Sequence, residues 1–147
     1  MTAEAPLSTS HLIVYVADTD ASIAFWCRGM GGVLERDEKL QAPALDAMLG
    51  RKGVRIRDAF VRIGGIRLHT VETLDERYSG PERPPRAPGI DGLSFEVPDI
   101  EAARARSLER GLSPTPVYDF EKTRPPCRMF FLDDPDGIRV EMIEYLA

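Results

Sequence analysis

The chain has no apolar run approaching the roughly 18 residues that a membrane-spanning helix needs, so no transmembrane helix and no membrane partner are expected. It has no basic surplus either. Nineteen Lys and Arg stand against 24 Asp and Glu, for a net charge of −5 and a pI near 5.1. Nucleic-acid binding needs a basic face, so no nucleic-acid partner is expected. Cysteine is scarce. Cys27 and Cys127 have no metal or redox spacing, which excludes a thiolate zinc site, and both are expected as free thiols. Residues Met1–Ser10 lack the basic start and apolar stretch of a secretory signal, so a cytoplasmic location is expected. Histidine is equally scarce, with His11 and His69 the only two.

What is present is a repeat. The 147 residues, 43% hydrophobic and 29% charged, suffice for one compact domain with a real core. Residues 11–18 read HLIVYVAD, and residues 92–99 read GLSFEVPD, an offset of 81 (92 − 11). Residues 64–72 read GGIRLHTVE, and residues 136–144 read DGIRVEMIE, an offset of 72 (136 − 64). The first copy therefore carries the longer insertion, which we place in Leu40–Gly53. That segment reads as a lid or as a dimer contact.

Each copy opens with an apolar strand, His11–Val16 or Gly92–Val97. Asp18 or Asp99 then caps a helix. In the first helix Ile23, Trp26, Cys27 and Met30 recur on one face, which marks Trp26 as core. Gly29, Gly31 and Gly32 end this helix, and Gly111 ends the second. Three strands follow in each copy, near Gly32–Arg36, Ile56–Ile63 and Ile66–Thr73, then near Ser113–Tyr118, Arg128–Leu132 and Ile138–Tyr145. Gly64-Gly65 and Asp136-Gly137 turn the closing hairpins. The expected fold is α+β: two tandem βαβββ modules, residues 9–78 and 90–147, joined by a Pro-rich linker at 79–89, forming a curved mixed sheet around a shared cleft. The basic run Arg51, Lys52, Arg55 and Arg57 reads as a solvated strand edge.

Strand alternation assigns faces. Leu12, Val14 and Val16 go under the helix, which leaves His11, Ile13 and Tyr15 facing the cleft. In the copy, Gly92, Ser94 and Glu96 face it. On the last strands Arg67, His69 and Val71 face it, as do Arg139, Glu141 and Ile143. Both histidines and Glu141 thus fall on the cleft side, with His69 and Glu141 at equivalent repeat positions. Two imidazoles and a carboxylate suit iron(II), and also zinc, nickel, cobalt or manganese. Tyr15 and Phe130 are candidate rings for stacking on a substrate. Arg67, Ser94 and Arg139 are candidate polar contacts. Glu141 and Glu96 are candidate bases, although Glu96 also reads as a solvated rim carboxylate.

The stretches HLIVYVADTDASIAFW, GIDGLSFEVPDIEAARARSLERG and FFLDDPDGIRVEMIEY resemble the vicinal oxygen chelate superfamily, the glyoxalase, bleomycin-resistance and extradiol dioxygenase group. The resemblance covers nearly the whole chain, and its DPDG hairpin followed by a Glu is the most specific part. It implies a divalent metal held by His11, His69 and Glu141. The remaining family ligand position, usually a His, falls on Gly92. The resemblance further implies a small-molecule substrate whose two neighbouring oxygens meet the metal, and a homodimer. Enolate chemistry (isomerase, epimerase or lyase) is the first expectation. Iron(II) dioxygenation and metal-free small-molecule or drug binding are the alternatives.

Overall fold

The computed structural model describes residues 7–76, 84 and 87–146. The linker expected at 79–89 lies largely outside them. The order is β1 (Leu12–Tyr15), α1 (Thr19–Ile23, running on through a π-helical turn, Ala24–Gly29), β2 (Val33–Gln41), α2 (Pro43–Leu49), β3 (Arg55–Ile63), β4 (Ile66–Thr73), β5 (Gly92–Glu96), α3 (Ile100–Glu109), β6 (Tyr118–Phe120), β7 (Cys127–Asp133) and β8 (Arg139–Tyr145). The strands form two four-stranded mixed sheets, ordered β1-β4-β3-β2 and β5-β8-β7-β6. In each, the opening strand runs parallel to the closing one, and the remaining pairs are antiparallel. This is the expected α+β architecture of two βαβββ modules. Among the described residues no helix is long and apolar enough to cross a membrane.

Local chemistry explains the repeat. Asp18 and Asp99 accept from the backbone N–H three residues on, capping α1 and α3. Each closing strand also reaches its own module's helix start. Glu72 Oε2 accepts from Thr19 N at 2.9 Å and from Thr19 Oγ1 at 2.6 Å, and its counterpart Glu144 accepts from Ile100 N at 3.0 Å. A carboxylate there complements the positive end of the helix.

One element falls in its expected segment, Leu40–Gly53, and one departs from expectation. The extra length of the first module is the end of a long β2 followed by α2, whose Leu45 and Leu49 pack on Val54, Ile56 and Val71. The strand expected at Ser113–Tyr118 pairs regularly only from Tyr118. Pro114 and Pro116 lack ladder donors, so Thr115 alone engages β7, through its N–H to Phe131 O and its Oγ1 from Phe131 N.

The core explains how the sheets sit. Phe25, Trp26, Val61, Ile63 and Leu68 of the first module join Ile100, Ala103, Phe130, Leu132 and Val140 of the second in one buried cluster. Burying each large side chain contributes about 1.5–3 kcal/mol. Hairpin tips clasp across the seam: Ala17 N donates to Asp136 Oδ1 at 2.9 Å, and a Cβ on Gly64 would stand 2.6 Å from the Phe95 ring. Because the helix-bearing faces share this core, the opposite face of each sheet is left open, with Ile13 63% and Tyr15 61% exposed. Among the described residues, no hydrogen bond, ion pair or ring contact joins one open face to the other. The sequence leaves open whether the shared cleft forms within one chain or between two, and among the described residues the two open faces make none of these contacts with each other.

Candidate functional site on the open sheet faces

The open face of the first module is built around Phe60. The β3–β4 register sets Phe60 opposite His69, and their rings stack at 4.4 Å and 13°. His11, just before β1, stands edge-on to both, 5.4 Å from Phe60 and 5.2 Å from His69. The guanidinium carbons of Arg36 and Arg67 lie 4.5 Å and 4.8 Å from the Phe60 centroid, within cation–π range. Glu35 takes Arg67 Nε at 2.7 Å and also holds Arg62. These hydrogen bonds, Arg62 first and then Arg67, hold the Glu35 carboxyl below its usual range.

Asp58 lies behind this layer, 2% exposed. Its Oδ2 accepts from Arg36 Nη2 at 2.7 Å and lies 3.3 Å from His69 Nε2. The second contact is close but not aligned for hydrogen bonding. Both ring nitrogens of His69, and Asp58 Oδ1, are buried without a hydrogen-bond partner. An orphaned buried polar group costs about 1–3 kcal/mol. Burial pushes the His69 pKa below the ordinary 6.5. The Asp58 charge opposes that shift and His11 adds to it. The result is a neutral imidazole with free nitrogen atoms, which is the form that ligates metals.

On the second module Ser94 pairs directly with Glu141, and Ser94 Oγ donates to Glu141 Oε1 at 2.7 Å. Phe131 stands opposite Glu141 as Phe60 does opposite His69. The Arg139 guanidinium lies over Phe131, 5.2 Å from its centroid. Gly92, Ser94, Phe131, Arg139 and Glu141 border a shallow hollow of about 180 Å³. Gly92 has a steric reason. A Cβ there would stand 2.0 Å from the Arg139 carbonyl oxygen, so backbone proximity, and not only side-chain choice, empties the remaining ligand position.

Placement of the expected residues is mixed. His11 and His69 come together. Glu141 sits on the other sheet, and among the described residues no three His, Cys, Asp or Glu side chains converge on a metal position. Tyr15, Arg67, Ser94, Glu96 and Arg139 lie on open faces, and Glu96 is solvated there. Phe130 requires correction. It pairs with Met142 on the core side and is fully buried, so it cannot stack on a ligand, and the open-face ring is Phe131. Asp58, Phe60 and Arg36 were not singled out from sequence, although the alternation of RIRDAFVRI places Asp58 and Phe60 on one face. The basic run resolves into ion pairs of Arg51 with Glu76, Arg55 with Asp75, and Arg57 with Asp37 and Asp20.

The model of the Glyoxalase/Bleomycin resistance protein/Dioxygenase superfamily matches residues 8–142. No curated protein matches the chain. Among solved structures, a glyoxalase family protein from Bacillus cereus superposes with a TM-score of 0.79 at 18% identity, covering 100% of this chain and 99% of its own. A glyoxalase family protein from Enterococcus faecalis gives 0.70 at 23% identity, with 93% and 97% coverage. A glyoxalase/bleomycin resistance protein/dioxygenase from Alicyclobacillus acidocaldarius gives 0.63 at 19% identity, with 95% and 92% coverage.

Proposed function

We propose that this chain, which belongs to the Glyoxalase/Bleomycin resistance protein/Dioxygenase superfamily, is a metal-dependent enzyme acting on a small molecule with two neighbouring oxygens, its site completed by a second copy of the chain. The observation that carries this reading is His69. Its two ring nitrogens are buried without partners, beside His11, on a face otherwise ready for a ligand. Each chain holds two half-sites, the histidine pair on one sheet and Glu141 on the other. A homodimer that lays the first module's face against the second module's face of its partner would bring them together twice.

In this reading His11 and His69 supply nitrogen donors and Glu141 a carboxylate. A divalent ion held there would offset charge developing on a substrate oxygen as a proton leaves the adjacent carbon. Ser94 fixes the Glu141 carboxylate through its hydrogen bond. Stacking on Phe60 fixes the His69 ring plane, and the Asp58 charge lies 3.3 Å from Nε2. Isomerase, epimerase or lyase chemistry through an enolate is the reaction class we favour.

The test is metal analysis and light-scattering mass of untagged protein, with His69→Ala and Glu141→Ala. A dimer with stoichiometric nickel, cobalt, zinc or manganese is expected, and each variant should fold but lose the ion. Mixing the two variants should restore one of the two sites in each mixed dimer, about one site in four of the total on random exchange, because one histidine pair there meets an intact Glu141. Stoichiometric iron would turn the reading to oxygenation. Wild-type protein that stays metal-free after reloading would refute it. A metal-free binder is then the second reading, favoured by the Phe60 wall with its two guanidinium groups.

A further inference from the structure

The two modules carry the same ring-and-guanidinium pair. Arg67 and Arg139 are repeat equivalents, 72 residues apart (139 − 67), in the matching stretches GGIRLHTVE and DGIRVEMIE. Phe60 and Phe131 are equivalent through their pairing with His69 and Glu141. Arg67 lies 4.8 Å from its ring centroid and Arg139 lies 5.2 Å from its own. The difference is what neutralises each cation. Arg67 Nε donates to Glu35 at 2.7 Å. Arg139 has only Asp133, whose Oδ1 is 3.7 Å from Nε, beyond hydrogen-bond reach, with both side chains more than half exposed. Its guanidinium thus lies over Phe131, its donors coplanar by their own bonding, and is left without a hydrogen bond among the described residues.

The geometry points to Arg139 as the group that receives a carboxylate of the substrate. A guanidinium presents parallel N–H donors that match the two oxygens of a carboxylate, and stacking on a ring leaves that edge free. The room is already there. Gly92 pairs with Arg139 and contributes no side chain to the hollow of about 180 Å³ that both border. Glu141 projects from the same face two residues on, about 7 Å along the strand. A short acid whose carboxylate meets Arg139 therefore extends its next oxygen toward Glu141, where a hydroxyl donates to the carboxylate and a keto oxygen is received through the ion proposed there. This names a substrate class for the proposed site, an acid with a keto or hydroxyl oxygen beside the carboxylate, and to that extent it rests on the reading above. The charge contact itself does not need the metal.

The test is a two-dimensional NMR titration with pyruvate and with its uncharged methyl ester, on metal-reloaded and on chelator-stripped protein. Wild-type protein is expected to bind pyruvate at least about tenfold more tightly than the ester, a difference of about 1.4 kcal/mol. Arg139→Gln should remove that preference in both preparations, and Arg55→Gln, on an exposed pair with Asp75, should leave it intact. Saturable pyruvate binding that is unchanged in Arg139→Gln, or the absence of any saturable shift in wild type, overturns the assignment. A preference that depends on Arg139 in stripped protein upholds it even where the metal reading fails. Binding that needs metal but not Arg139 does the reverse.

Discussion

The two modules share a backbone plan and differ in what fills it. On the first open face the three guanidinium groups are answered by hydrogen bonds: Arg67 and Arg62 by Glu35, Arg36 by Asp58. The second repeats the ring, the guanidinium and the metal-type side chain, yet replaces buried Asp58 with Met129, its register counterpart across from Ile143. It also leaves the Arg139 guanidinium without a hydrogen bond among the described residues. The first face is thus a closed electrostatic arrangement around two histidines. The second is an open one around a carboxylate and a cation. The repeat gives both modules one frame, and the difference lies in a few side chains that have partners on one side only.

The comparison is most easily broken at Gly92. Gly92→His would refill the ligand position, but its Cβ would meet the Arg139 carbonyl at 2.0 Å. We expect a loss of about 3 kcal/mol from overpacking and no gain in metal affinity. His11→Gly, the same exchange in reverse, should cost less than about 1 kcal/mol. Thermal denaturation and metal titration of both variants check this, and a stable, tighter-binding Gly92→His would contradict it.

Asp58→Met makes the first face resemble the second. Losing the carboxylate shared by Arg36 and His69 should cost about 1–2 kcal/mol in urea denaturation. It should also lower the His69 pKa further, since the Asp58 charge works to raise it. An NMR titration that moves His69 upward would contradict this account.

Acid should separate the modules. In the folded chain the His69 pKa lies below its ordinary 6.5, so the unfolded chain takes up that proton more readily. The stabilising contribution is complete above about pH 6.5 and is lost as pH falls from there through the folded value. Metal-free wild type should therefore lose Tm over that range, and His69→Gln should flatten the slope.

The smallest effect on stability belongs to Glu35→Gln, since exposed ion pairs contribute little. Its Tm should be indistinguishable from wild type. Releasing Arg67 fully by Glu35→Ala together with His11→Gly, which opens the room that Gly92 leaves on the other face, should create a second pyruvate site, which Arg67→Gln in the same background abolishes. Absence of that site would mean that the Arg67 position does not imitate Arg139.

Much of this was legible in the sequence, for identifiable reasons. The repeat, both closing hairpins and the outward placement of His11, His69 and Glu141 follow from spacing and period-two alternation. The Phe130 assignment failed because MFFL is an unbroken apolar run in which alternation has no phase. Only the pairing of β7 with β8 tells Phe130 from Phe131. Whether the cleft forms within one chain or across two stayed open in the sequence, because the way two modules face each other is set by long-range contacts, such as Gly64 against Phe95 and Ala17 on Asp136, that no local pattern encodes. Asp58 was passed over because a charge inside a strand reads as surface until its two partners are seen.

The carboxylate cap on α1 has one further consequence. Glu72 grips Thr19 across 53 residues of chain, so the first module is clipped shut at its base independently of the peptide that runs through α2. A backbone nick in the turn after that helix, near Lys52-Gly53, should leave both fragments associated. The chain is thereby expected to tolerate being expressed as two pieces or permuted at that point.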